Sequence, residues 1–388
     1  ATIVKVEGMH RIADTFGPIP YVNYGSSSLY DALDLVYNKF FEELDNAIEV
    51  LSNYVNGNVD AKLMSDYDCV YGGDVEKWVK FANTLRLRLA IRVSYANPTL
   101  AEAQAKKSME NMFGFIESKA ERAELSHNSL EYHHPLHEIA YNFNSGDCRP
   151  GATIVAYLNG LNDSRISSYF TAADDGEYHG VRIGITTSNM SNYQGNKISN
   201  LNINRASTPV VWMTAAESFF LRAEGALRGW DMGGTAKSFY EQGVRMSFEE
   251  NNAAGVDDYL ADHTSTPGAF ADNVGSDNYT FSSKVTPAWD DNADFEGQLE
   301  RIITQKWIAI YPDGPEGWSE YRRTGYPEVI PVVRNSSNGT IDTELQVRRL
   351  PYTRDEKINN ASGVASGISA LGGQDTGGTK LWWDKRSR

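Results

Sequence analysis

Cysteine is scarce in this chain of 388 residues: Cys69 and Cys148 are the only two, far apart and in no metal-ligand spacing. That excludes a disulfide framework and leaves one isolated bridge undecided. No run approaches the roughly 18 consecutive apolar residues of a membrane span. Positive charge is short as well, with 36 Lys and Arg against 51 Asp and Glu and a net charge of −15. A chain of that sign repels phosphate backbones, so nucleic-acid binding would need a local basic stripe. The densest basic cluster, Arg86, Arg88 and Arg92, alternates with leucines inside a strongly helical segment, which favours structural pairing. Catalytic signatures are missing too: there is no Gly-x-Ser-x-Gly elbow, phosphate loop or dinucleotide fingerprint. Among 51 acidic residues, chance carboxylate pairs carry no information about a glycosidase.

What is present describes a globular protein. Hydrophobic residues make up 41% and charged residues 22%, and the length suits one large or two ordinary domains. The opening "ATIVKVEGMHRIADTFGPIPYV" lacks the charged start, apolar middle and cleavage site of a signal peptide. It reads as the end of a helix running into a Gly-Pro turn, and the chain is expected to be a fragment or a processed form.

Apolar residues at Leu33, Tyr37, Phe40, Leu44, Ala47 and Leu51 recur in steps of three and four, one buried face of a helix that Asp31 is expected to open. "NGN" at 56–58 breaks it. A second helix is expected over about 74–95, built on Trp78, Phe81, Leu85, Leu89 and Val93, and a third after Pro98. Residues 118–207 are rich in Asn, Ser, Gly and His and read as a loop-rich insertion with one short helix and a few short strands. Helices return at 209–230, with Pro209 in the first turn, and at 235–251. In the latter, Ala236, Tyr240 and Gly243 have the small–aromatic–small spacing of a tetratricopeptide-type hairpin. The segment 296–312 reads as the last clear helix, and 313–388 as irregular. The expected class is therefore mainly α: hairpins at about 28–113, 209–251 and 296–312, with a loop-rich portion between them, in a single unit over 1–388.

Two metal-like phrases have plainer explanations. In "HHPLHE", His133 and His137 are four apart, but Pro135 spoils the ordinary helix that would turn both rings to one side. Asp290, Asn292 and Asp294 alternate as in a calcium loop, but the glycine and glutamate such a loop needs at its sixth and twelfth places are missing. Capping of the following helix by Asp294 explains them better.

Aromatics are 11% of the chain, and Tyr141, Phe143, Tyr169, Tyr178, Tyr193, Tyr279 and Trp289 stand in polar loops among Asn, Gln, Ser and His. This is the composition of a carbohydrate platform: a ring stacks on the apolar face of a pyranose while amides and carboxylates meet its hydroxyls. The alternative for each ring is an anchor that ties its loop to the body.

Several phrases then occur in order: "WVKFANTLRLRLAIRVSYANP", "GDCRPGATIVAYLNGLNDSRISSYF", "AAESFFLRAEGALRGW" with "AKSFYEQGVRMS", "ERIITQKWIAIYPDGPEGWSEYRRTGYP", "RRLPYTRDEKINN" and "TKLWWDK". Together they resemble the SusD/RagB family, from "FGPIPY" to Lys385. The resemblance implies a surface-exposed lipoprotein of the Bacteroidetes outer membrane built on tetratricopeptide-type hairpins. It would bind glycans without catalysis or cofactor and cap a SusC-like TonB-dependent transporter. Membrane contact would come only through an N-terminal lipid anchor. The signal peptide, the lipid-bearing cysteine and an early helical portion of the family are not in this sequence, and Cys69 and Cys148 are internal. Ligand contacts in the family follow no fixed motif, so the seven aromatics above remain the candidates. Within the stretch 305–327 the resemblance makes the aromatics and the Arg322–Arg323 pair scaffold, with the arginines on acidic side chains or helix-end carbonyls. A protein- or peptide-binding helical scaffold is the alternative function, and a glycosidase a further one.

Overall fold

The computed structural model describes residues 1–58, 60, 62–125, 134–143, 148–185, 187–204, 207–272 and 277–386. Helix α1 (Thr2–Phe16) ends at Gly17, whose φ of 95° turns the chain into the Gly-Pro loop. Helix α2 (Leu33–Gly57) buries Leu33, Val36, Tyr37, Phe40, Phe41, Leu44 and Ile48 along one stripe. Asp31 does not open α2 as expected. Its carboxylate accepts the N–H groups of Tyr21 and Val22 and the amide of Asn23, so it folds the preceding loop instead. Helix α3 (Val75–Arg92) starts at Asp74, whose side chain accepts from Lys77 N–H, and α4 (Pro98–Glu110) starts at Asn97.

The middle of the chain holds short elements. Strand β1 (Ala123–Leu125) is followed by the single turn α5 (Pro135–His137), α6 (Ala152–Gly160) and α7 (Ile166–Tyr169). Strands β2 (Phe170–Thr171) and β3 (Asn200–Leu201) pair antiparallel, as do β1 and β4 (Val210–Met213). Pro209 therefore precedes a strand rather than a helix. The β-branched Val210 and Val211 with Trp212 suit a pleated ribbon, and the helix begins only after Thr214, whose hydroxyl accepts from Glu217 N–H.

Helices α8 (Ala215–Leu227) and α9 (Ala236–Glu250) form the hairpin read from the sequence. A Cβ on Gly243 would meet the Phe220 ring at 2.8 Å, so the glycine is what lets the two helices approach. After α10 (Val256–Leu260), residues 261–272 and 277–294 form an arm pinned by the buried Phe270, Phe281, Val285 and Trp289. Helix α11 (Phe295–Ala309) is capped by Asp294, which accepts from Gly297 N–H at 2.9 Å.

The region from 313 onward is not irregular throughout. It contains α12 (Gly314–Thr324), α13 (Arg354–Asn359) and α14 (Ala361–Leu371). Each is short and begun by a capping residue: Asp313, Thr353 and Asn360. Gly325 and Gly372 close α12 and α14 in the left-handed conformation. Glycine and proline here punctuate helices rather than mark coil.

One apolar cluster lies among α1, α2, α3 and α4, and a second among α6, α8, α9, α11 and the arm. Trp230 and Met246 pack against both. Between them runs a buried ionic lattice. Arg88 pairs with Glu217 at 2.6 Å, Arg92 with Glu316 and Glu320, and Arg323 with Glu224 and Glu320 at 2.6 Å, while Lys306 reaches Glu316 at 3.0 Å. Asp14 of α1 accepts from Tyr37 OH and from the indole of Trp383, so the last residues close onto the first helix. Arg322 donates to the carbonyls of Asp14 and Arg348. The arginine pair of 305–327 is scaffold.

Candidate functional site

The loop at 177–180 of the insertion and the arm at 266–271 both pack against α6. Gly160 at the end of α6 lies against the backbone of 266–268: an added Cβ would fall 1.9 Å from Gly268 N, and Gly268 N–H donates to Ala156 O at 3.0 Å. Gly180 is similarly close, with Gly151 O at 2.8 Å from such a Cβ. These glycines let two loop backbones sit directly on the start and end of α6, and a groove of about 220 Å³ forms between them. It is lined by Val155, Asn159, Glu177, Tyr178, His179 and Phe270. His179 also borders a wider depression of about 410 Å³ with Asp174, Asp175, Asn192 and Lys197.

Tyr178 is half-buried, its body packed against the core. The Asn159 amide donates to the Tyr178 carbonyl at 3.1 Å, which fixes the loop on α6. His179 Nε2 lies 2.8 Å from Asp175, and that contact holds the exposed Asp175 carboxyl below its usual range. The arrangement offers a ring, an imidazole, amides and carboxylates within two adjoining hollows. It can stack and hydrogen-bond a polyhydroxylated ligand. Among the described residues, no group of three or more His, Cys, Asp or Glu is placed to hold a metal ion. His133 lies outside the described residues. His137 stacks with Tyr141 at 4.8 Å.

The seven aromatic candidates separate by environment. Tyr169 is 3% exposed and donates to Ile308 O at 2.9 Å. Trp289 is 7% exposed, its ring 5.3 Å from Tyr240, and Tyr193 is 4% exposed with its hydroxyl on Asp272. These three tie loops to the body. Tyr141 and Phe143 are the open ones, 38% and 64% exposed. Tyr178 and Tyr279 are half-buried, and Tyr279 OH donates to Glu328 at 2.8 Å. Tyr178, Tyr193 and Tyr279 converge on one segment: Tyr178 lines the groove with Phe270, Tyr193 reaches Asp272, and Tyr279 pairs with Phe270 in an isolated bridge. Tyr141 stands apart, its hydroxyl on Leu201 O. Asn159, His179, Asp175, Asn192 and Lys197 were not singled out from the sequence. Of these, "DDGEYHG", a ring and an imidazole flanked by carboxylates in a glycine-bearing loop, carries Asp175 and His179.

The fold and this chain's sequence match known proteins closely. A family model described as SusD-like, SusD and RagB outer membrane lipoprotein, matches residues 1–384. A chitin-binding SusD homolog from Flavobacterium johnsoniae is 42% identical, with a TM-score of 0.95 over 100% of this chain and 80% of that one. A SusD homolog from Bacteroides uniformis is 43% identical, with a TM-score of 0.92 over 99% and 80% of the two chains. One from Bacteroides vulgatus is 39% identical, with a TM-score of 0.91 over 99% and 78%. No curated protein matches significantly. The mainly α, tetratricopeptide-like class read from the hairpins agrees with these structures. The chain belongs to the SusD-like family of outer membrane lipoproteins.

Proposed function

We propose that the protein captures glycans non-covalently at the cell surface and delivers them to a SusC-like TonB-dependent transporter. The observation that carries the reading is the groove beside Tyr178, where a half-exposed ring and planar polar groups stand on a floor of backbone packed against backbone. Such a floor keeps the platform in place without a ligand, which lowers the cost of ordering it on binding. The 42% identity to a chitin-binding homolog supports a carbohydrate cargo. Tyr141, Phe143, Tyr178 and Tyr279 are the rings with exposed surface to offer, whereas Tyr169, Tyr193 and Trp289 serve as anchors. Shallow stacking sites of this kind reach affinities of roughly −4 to −8 kcal/mol, millimolar to micromolar. Docking on the transporter compensates for weak capture. No bond-breaking step is assigned to any residue.

Affinity gel electrophoresis over a panel of polysaccharides, chitin derivatives included, tests the reading. The wild type is retarded by at least one glycan, and Tyr178→Ala loses most of that retardation. A wild type that migrates freely on every gel contradicts the glycan reading. Full retention by Tyr178→Ala moves the site elsewhere.

A further inference from the structure

The groove beside Tyr178 has a wall of bare backbone on each side. On the arm, Phe270 exchanges both of its hydrogen bonds with Tyr279: its N–H donates at 2.8 Å and its O accepts at 3.0 Å. In an extended chain, successive residues turn their N–H and C=O groups to opposite sides. Ala269 and Ala271 therefore face away from Tyr279, and both line the groove. Neither makes a hydrogen bond among the described residues. The stretch 269–271 is an open strand edge.

The opposite wall is an independent case of the same kind. His179 N–H donates to Ser199 Oγ at 3.0 Å and His179 O accepts from Ser199 N–H at 3.2 Å, both outward. Tyr178 O turns the other way, onto the Asn159 amide at 3.1 Å. Gly180 lines the groove and is buried, yet neither its N–H nor its C=O has a partner among the described residues. Buried backbone groups are paired in more than about nine cases in ten, so an unpaired set beside a cavity marks a place that water or a ligand completes.

A planar amide fits between two such edges. A trans secondary amide carries its N–H and C=O on opposite sides, so it donates to one edge and accepts from the other, as a peptide unit does inside a sheet. A hydroxyl rotates and has no such fixed opposition. Val155 and Ala156 of α6 give the groove an apolar floor for a methyl group. The groove is also short, about 220 Å³, and Gly268 N–H is closed onto Ala156 O at one end. It suits one amide and the ring that carries it, not the run of main-chain bonds that holds an added peptide strand.

We propose that the groove selects an acetamido group, so that its cargo contains an N-acetylated amino sugar. This rests on the glycan reading and deepens it by naming the substituent that the site recognises. The acetamido C=O accepts from one backbone edge and its N–H donates to the other. Its methyl lies on Val155 and Ala156, and the pyranose that bears it meets the Tyr178 ring.

Isothermal titration calorimetry on the intact protein tests it. The probes are an N-acetylglucosamine hexasaccharide, the glucose hexasaccharide of the same linkage and N-acetyl-trialanine amide, which carries amides without a sugar. The wild type should bind the N-acetylated hexasaccharide at least about tenfold more tightly than the glucose one, the effect of one buried amide pairing. Ala271→Pro removes an edge N–H, and a strand edge tolerates proline where that N–H is unbonded. Its fold is checked by melting, and it should lose most of the preference. Equal affinity of the wild type for both hexasaccharides overturns the inference and leaves the glycan reading standing. So does binding of neither while a polysaccharide still retards the protein on a gel. A preference that survives intact in folded Ala271→Pro overturns the assignment to this edge. Tighter binding of the trialanine amide than of the N-acetylated sugar overturns the sugar class. Failure of every glycan, on the gel and in the calorimeter, counts against both readings. Should Ala271→Pro not fold, Ala269→Pro on the same edge replaces it, and the wild-type preference still decides.

Discussion

Tyr169 and Tyr178 come from one polar stretch and carry the same side chain, yet they face opposite ways. Tyr169 lies 4.6 Å from the Tyr311 ring and bonds the Ile308 carbonyl at the end of α11, whereas Tyr178 borders the groove. Tyr169→Ala should cost about 3–5 kcal/mol in urea unfolding, the range for removing a large buried ring. Tyr178→Ala should cost about 1 kcal/mol and act chiefly on glycan retention. Equal destabilisation by the two would remove the distinction between anchor and platform. A single sequence could not separate them. Whether a loop tyrosine turns inward depends on a partner far along the chain, such as Ile308 for Tyr169 or Asp272 for Tyr193. Arg322, Arg323 and the arginines of α3 were easier to read, because a guanidinium between apolar residues on a helix has to be paired.

At the scale of elements, long amphipathic helices were legible and short capped ones were not. The stripe of α2 and the Tyr240–Gly243 spacing of α9 each repeat over several turns, so periodicity alone identifies them. Strand β4 depends on pairing with β1 far upstream in the chain, and α12 to α14 are defined by their caps more than by repeated apolar positions. The groove depends on an equally local detail. Gly160→Ala puts a methyl into the backbone of 266–268, with no flexible side chain to yield. The expected outcome is a loss of about 1–3 kcal/mol in stability, together with weaker glycan retention as α6 and the arm move apart. Wild-type melting and retention in this variant would show that the floor is not rigid.

Across the whole molecule, the ionic lattice joins α1, α3, α8, α11 and α12 into one body. Burial works against charge on Glu320, yet Arg323, Lys306 and Arg92 hold its carboxyl down at about 2, and Glu316 and Glu224 are lowered as well. A carboxyl held below its unfolded value of 4.5 contributes stability that is complete above that value. It is lost as pH falls towards the folded value, because the unfolded chain takes up the proton first. The melting temperature should therefore fall by at least about 5 °C between about pH 5 and pH 3. The effect should shrink in Glu320→Gln, which is already destabilised by roughly 2–4 kcal/mol, because Arg92 and Arg323 each lose a carboxylate partner and keep Glu316 and Glu224. A flat acid profile would mean that the lattice adds no net stability once Glu7 and Asp14, whose carboxyls burial pushes up, are set against the lowered three. It would then serve only to fix the register of the helices.

That rigid body exists, in this account, to hold loops that seize a glycan and release it whole. The most direct check is to incubate the purified protein with the polysaccharide that retards it, then assay the same sample for bound glycan and for new reducing ends. Saturable binding with the glycan recovered at its original length is the expected result. Reducing ends that accumulate with time and protein concentration would contradict it.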